Sequence, residues 1–138
     1  MGDWYTVGLA LGLGLGFGVI LSGLLAANAV GTGIAVVVGV AAGALAGYAI
    51  GDTTETIAGI VGGLVGALSA AVVVLGAMRR GATRLGVGTY VGSVGVLILL
   101  VSLIPIVGYV VTVVLPALAL RMRGRQAARY AGLRTLAK

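Results

Sequence analysis

The chain has 138 residues, 60% of them hydrophobic and only 9% charged, with a net charge of +6 and neither cysteine nor histidine. Soluble domains carry roughly 25% charged residues, so a mean hydropathy of +1.22 excludes a soluble globular protein and describes an integral membrane one, of a length that suits a single bundle. Thiol chemistry, disulfides and Cys- or His-based metal sites are excluded as well.

At the N-terminus, Met1-Gly2-Asp3-Trp4-Tyr5-Thr6 matches the M-G-x-x-x-[ST] lipidation pattern, but a span follows at once and makes a lipid anchor redundant. Trp4 and Tyr5 read more simply as interface anchors, apolar rings with a polar edge at headgroup depth. Residues 7–27 form the first predicted span, about 20 residues and so enough for a ~30 Å hydrocarbon layer. Large and small residues alternate strictly from Val7 to Val19. Period two is a strand signal, yet a membrane barrel needs many such segments, and the later spans are continuously apolar. Read as a helix, the alternation makes two smooth stripes on nearly opposite sides, Gly8/Gly12/Gly16 and Ala10/Gly14/Gly18, which suits a helix held between two close neighbours. Ala27-x-Ala29 resembles a signal-peptidase site; the missing basic n-region and the long apolar run argue against cleavage.

Residues 28–33 are expected to be an uncharged turn and residues 34–50 the second span, with Tyr48 as an interface anchor. An acidic connection, Gly51-Asp52-Thr53-Thr54-Glu55, leads to the third span at residues 56–78. This hairpin carries the clearest packing signal in the chain. Ala35, Gly39, Gly43, Gly47 and Gly51 recur every four residues, and Ala58, Gly62, Gly66 and Ala70 do the same beside Gly59, Gly63, Ala67 and Ala71. Burying apolar side chains away from lipid gains little, so membrane helices associate by close backbone approach, and rows of Gly and Ala permit it. Glycine-zipper packing through Gly39, Gly43, Gly47, Gly59, Gly62, Gly63 and Gly66 is therefore expected, with the tightest closure of the bundle here.

After the loop containing Arg79, Arg80 and Arg84, residues 85–120 are too long for one crossing, since about 36 residues of helix would reach ~54 Å. Pro105 lacks an amide donor and restricts Ile104, which places a break at Ser102-Leu103-Ile104-Pro105. The resulting spans, residues 85–103 and 106–120, leave the last one short, as in a thin or partly re-entrant hairpin, and Pro116 frees the carbonyl of Thr112.

Charge placement supports five spans over the four-span alternative. With five, all nine cations fall on one side, Arg79, Arg80, Arg84, Arg121, Arg123, Arg125, Arg129, Arg134 and Lys138, while Asp3, Asp52 and Glu55 fall on the other. The positive-inside rule then puts the C-terminus in the cytoplasm and the N-terminus outside. For the same reason the basic residues read as topology determinants and not as a nucleic-acid footprint, and no nucleic-acid partner is expected.

No predicted span contains an ionisable residue, the usual mark of proton relays and coupling sites. A G-x-G-x-x-G is missing, and the only lysine is Lys138, so no phosphate-binding G-x-x-x-x-G-K-[ST] exists. Neither catalytic residues nor a cofactor or metal site is expected, and the protein reads as non-enzymatic. Of the intramembrane hydroxyls, Ser22, Ser69, Ser93 and Thr112 are candidates for a polar lining; back-bonding to helix carbonyls or bonding across helices accounts for them equally. Arg121, Arg123, Arg125 and Arg129 are candidate contacts for anionic lipid headgroups.

The glycine-rich hairpin, the break Leu103-Ile104-Pro105-Ile106-Val107-Gly108 and the ending Tyr130-Ala131-Gly132-Leu133-Arg134-Thr135-Leu136 resemble small glycine-rich polytopic membrane proteins of bacteria, a resemblance that implies no functional residues. Met78-Arg79-Arg80 and the glycines after it are similar to the small four-helix family linked to fatty-acid export from plastids, from which the span count departs. The expectation is an all-α polytopic bundle (residues 1–120) with a basic cytoplasmic tail (residues 121–138) in the cytoplasmic membrane. Its surplus of smooth rows suggests a homo-oligomer, acting as a channel or transporter-like element for a small neutral or lipophilic solute. The alternatives are an accessory subunit docked on a larger membrane complex and a holin-like permeabilising protein.

Overall fold

The helices are joined by shorter connections than the run of polar and small residues suggests, because side chains in those connections cap the helices that follow. The computed structural model describes the backbone from Asp3 to Leu136 and the side chains as far as Gly124. It contains α1 (Asp3–Leu25), α2 (Ala29–Ile50), α3 (Thr53–Met78), α4 (Arg84–Val101) and α5 (Pro105–Leu136). Each is long and apolar enough to cross a membrane, α5 over Pro105–Gly124. No strand occurs among the described residues, so the period-two pattern of the first span is helical.

Residues 29–33, expected in a turn, are the first turn of α2. The Asn28 side chain accepts the Gly31 amide at 2.7 Å, satisfying one of the donors that a helix start leaves open. Residues 53–55 likewise belong to α3, whose start is closed by Glu55 Oε2 accepting the Asp52 amide at 3.0 Å. Thr83 caps α4 by accepting the Gly86 amide at 3.3 Å. The break before Pro105 falls where expected, with proline opening α5 in the position that needs no amide donor. The last helix runs past Leu120, where the sequence places the end of the last span: it continues unbroken through the basic segment, and Pro105–Gly124, which carries Arg121 and Arg123 near its end, has the length and hydropathy of a crossing, about 30 Å.

The hub is α1, not the α2–α3 hairpin. α1 touches all four other helices, and its interface with α3 is the most extensive of the bundle. Both of its stripes are occupied. Gly14 and Gly18 face the Gly59 and Gly63 carbonyls of α3, and Gly8, Gly12 and Gly16 face Pro105 and Tyr109, Ser102 and Gly108, and Leu99. α2 rests in the seam between α1 and α3 on one edge, Ala35, Gly39, Gly43 and Gly47. At that seam three backbones converge: a Cβ on Gly43 would lie 3.3 Å from the Gly14 Cα and would collide with the Gly59 carbonyl oxygen. Next to this row on α3, Gly62 and Gly66 receive the Leu11 and Leu15 carbonyls of α1. Among the described residues, Leu15 is the one large apolar side chain wholly enclosed, among small neighbours that leave little else to bury.

Candidate functional site

The two ends of the bundle differ in charge and in construction. At one end the starts of α1, α3 and α5 are tied together: Thr6 Oγ1 donates to Glu55 Oε1 at 2.6 Å, and the Tyr109 hydroxyl donates to the Trp4 carbonyl at 2.8 Å. Trp4 and Tyr5 meet edge to face there, with ring centres 6.2 Å apart. Asp3, Asp52 and Glu55 therefore share this end. Glu55 is buried, a placement that its position in a polar stretch concealed; the signal was available, since Asp52-x-x-Glu55 before an apolar run has the spacing of a helix start.

At the opposite end, Arg79 and Arg80 after α3 and Arg123 of α5 line a common cavity of about 150 Å³. Both arginine clusters thus sit at one end of the bundle, as alternating helices require.

Above this cavity α4 and α5 part. They follow one another in sequence yet hardly touch, because each is held by a different surface. α4 runs along α1, where Gly95 receives Ile20 and Gly88 faces the Gly23 carbonyl. α5 crosses α1 only near Gly108, against the Gly8 carbonyl, and then leans on α3. The wedge between them is an apolar cleft of about 300 Å³, floored by Val19 of α1 and by Ser69, Ala70 and Val73 of α3. Tyr90, Val91 and Val94 form its α4 wall; Leu115, Leu118 and Ala119 form its α5 wall. Val73, Ala119 and Met122 also line the basic cavity, so the two spaces adjoin.

The four hydroxyls considered as a polar lining do not converge. Ser22 is fully buried between α1 and α3 and donates to the Ala67 carbonyl at 2.8 Å. Ser93 is exposed and bonds back to Thr89 at 2.8 Å. Thr112 bonds back to Gly108 at 2.7 Å. Of the four, Ser69 alone reaches the cleft. Ser102, which that expectation passed over, is fully buried against Gly12, and its hydroxyl has no partner. Among the expected headgroup contacts, Arg121 and Arg123 are exposed, and Arg123 faces the basic cavity. The side chains of Arg125 and Arg129 lie outside the described residues, as do Gly2 of the lipidation pattern and Lys138. Among the described residues no group of three carboxylate, cysteine or histidine side chains gathers as a metal set.

The glycine rows from which self-association was expected face other helices of the same chain: Gly39, Gly43 and Gly47 meet α3, Gly59 and Gly63 meet α2, and Gly62 and Gly66 meet α1. Gly33 and Gly92 have open space beside them.

Five apolar helices around a filled axis, with charge confined to their ends, define a multi-pass helical membrane protein. Comparison with family models, with curated proteins and with solved structures gives no match.

Proposed function

We propose that this protein is a non-enzymatic multi-pass protein of a cytoplasmic membrane that holds or passes a lipophilic molecule in the lateral cleft between α4 and α5. One observation carries this reading: the bundle axis is occupied by α1, whereas the flank has an apolar space of about 300 Å³, at the lower bound of the ~300–1,000 Å³ typical of small-molecule sites. A polar solute moving along the axis would need a lumen lined by hydroxyls, and the hydroxyls are dispersed: Ser22 bonds across to α3, while Ser93 and Thr112 bond back to their own helices. A lipophilic molecule needs only lateral access from the bilayer, which the divergence of α4 and α5 supplies. The cationic end is taken as cytoplasmic on the positive-inside rule.

The test is photo-crosslinking in native membrane with a diazirine-bearing diacylglycerol, a neutral lipophile. Labelling concentrated on residues 90–94 and 115–122, and reduced by Val94→Trp, supports the reading. Even labelling of all lipid-facing helices, α2 included, overturns it. Stoichiometric co-purification with a second protein whose helix fills the cleft overturns it in favour of an accessory subunit.

A further inference from the structure

The proposed cleft has a chemically different neighbour, which narrows the choice of occupant. Val73, Ala119 and Met122 border both the apolar space and the cavity lined by Arg79, Arg80 and Arg123. These arginines come from two distant segments, and the fold brings them to one opening at the end of the bundle where every described cation lies. Guanidinium groups recognise phosphate oxygens in planar, charge-assisted pairs, and basic pockets between membrane helices at the cytoplasmic face suit anionic headgroups.

We propose that the adjoining cavities together bind an anionic glycerophospholipid, its phosphate among Arg79, Arg80 and Arg123 and one acyl chain in the α4–α5 cleft. The proposal rests on the reading of the cleft as a lipophilic site and adds the charge and position of the headgroup. Two features favour a whole lipid over a free phosphate: the basic cavity shares the apolar Val73, Ala119 and Met122 with the cleft, and Met122 is half exposed and flexible enough to seat an acyl chain. Arg80 also packs over its own helix, with its guanidinium 3.5 Å from the position a Cβ on Gly76 would take, which leaves Arg79 and Arg123 as the pair that spans the opening. Arg121, two residues before Arg123, lines neither space and serves as the internal control.

Native mass spectrometry of the detergent-solubilised full chain, offered phosphatidylglycerol and phosphatidylcholine with the same acyl chains, reads the proposal directly. The expected result is preferential retention of one phosphatidylglycerol by about tenfold, the scale of a few interfacial cations. Arg79→Lys with Arg123→Lys keeps the charge that sets topology while removing the planar pairing, and should reduce the preference to a few-fold. R121K should leave it unchanged. Met122→Trp should weaken retention of both lipids, and glycerol phosphate without acyl chains should not be retained.

Equal retention of the two lipids, or an equal loss in R121K and R123K, overturns the headgroup site while leaving the lipophilic cleft standing. Retention of glycerol phosphate as firmly as the lipid assigns the arginines to a free phosphate and overturns the acyl-chain part. Failure to retain either lipid removes both the headgroup site and the cleft on which it rests.

Discussion

The Thr6 hydroxyl donates a 2.6 Å hydrogen bond to Oε1 of Glu55, joining the first turn of α1 to the first turn of α3 across 49 positions of sequence. The other carboxylate oxygen accepts the Asp52 amide, so one side chain both closes the start of its own helix and fixes it to the hub helix. Glu55→Ala removes both bonds and with them the carboxylate's part in closing the start of α3. Amide exchange over residues 52–56 should accelerate, and the melting temperature in detergent should fall. Thr6→Val, which spares the cap, should have a smaller effect on exchange there. Unchanged protection in Glu55→Ala would show that the capping bond does not hold this end.

Gly43 and Gly59 oppose each other reciprocally: a Cβ on either would run into the carbonyl oxygen of the other. Backbone has nowhere to retreat in a three-helix seam. Gly43→Ala and Gly59→Ala should each destabilise by about 1–3 kcal/mol, the range for overpacking. Gly92, in a helix but with open space beside it, provides the contrast; Gly92→Ala should be neutral or stabilise by up to ~1 kcal/mol through helix propensity. Unfolding titrations of the purified variants distinguish the two classes, and similar behaviour at Gly59 and Gly92 would contradict the close approach.

Ser22 and Ser102 are both fully buried but differ in satisfaction. Ser22→Ala loses a bond to Ala67 that links α1 to α3, and the expected loss is about 0.6 kcal/mol, the average for hydroxyl bonds between membrane helices. Ser102→Ala removes a hydroxyl without a partner and should be neutral or stabilise by about 1 kcal/mol. Thermal unfolding of the two alanine variants under identical detergent conditions should move in these different directions.

The chain contains no cysteine, so single cysteines report topology without background. Exposed positions Ala82 and Gly124 lie at the arginine end, and exposed Thr54 lies at the acidic end. Ala82→Cys and Gly124→Cys should be protected from an impermeant thiol reagent in intact cells and react after lysis, while Thr54→Cys should react from outside. Opposite accessibility of Ala82→Cys and Gly124→Cys would contradict the pairing of Arg79 with Arg123 at one cavity.

Composition and pattern alone determined that this is an all-α bundle of membrane character, that it has five helices long and apolar enough to cross a bilayer, and that α4 and α5 separate at Pro105. Those features follow from local chemistry: apolar length, a missing amide and the clustering of charge. Helix starts at Asn28 and Asp52 were legible too, from residues that cap, although the polar composition of the neighbouring stretches drew the boundaries too late. Tertiary structure decided which face each smooth stripe meets. A helix that is apolar on every side carries no hydrophobic signal for its rotation, and small residues permit close contact without naming the partner. Hence the alternating first span became the hub, Ser22 went to a helix interface and Ser93 to the exposed surface, and Arg79 and Arg123, 44 positions apart in the sequence, came to border one cavity beside an apolar cleft.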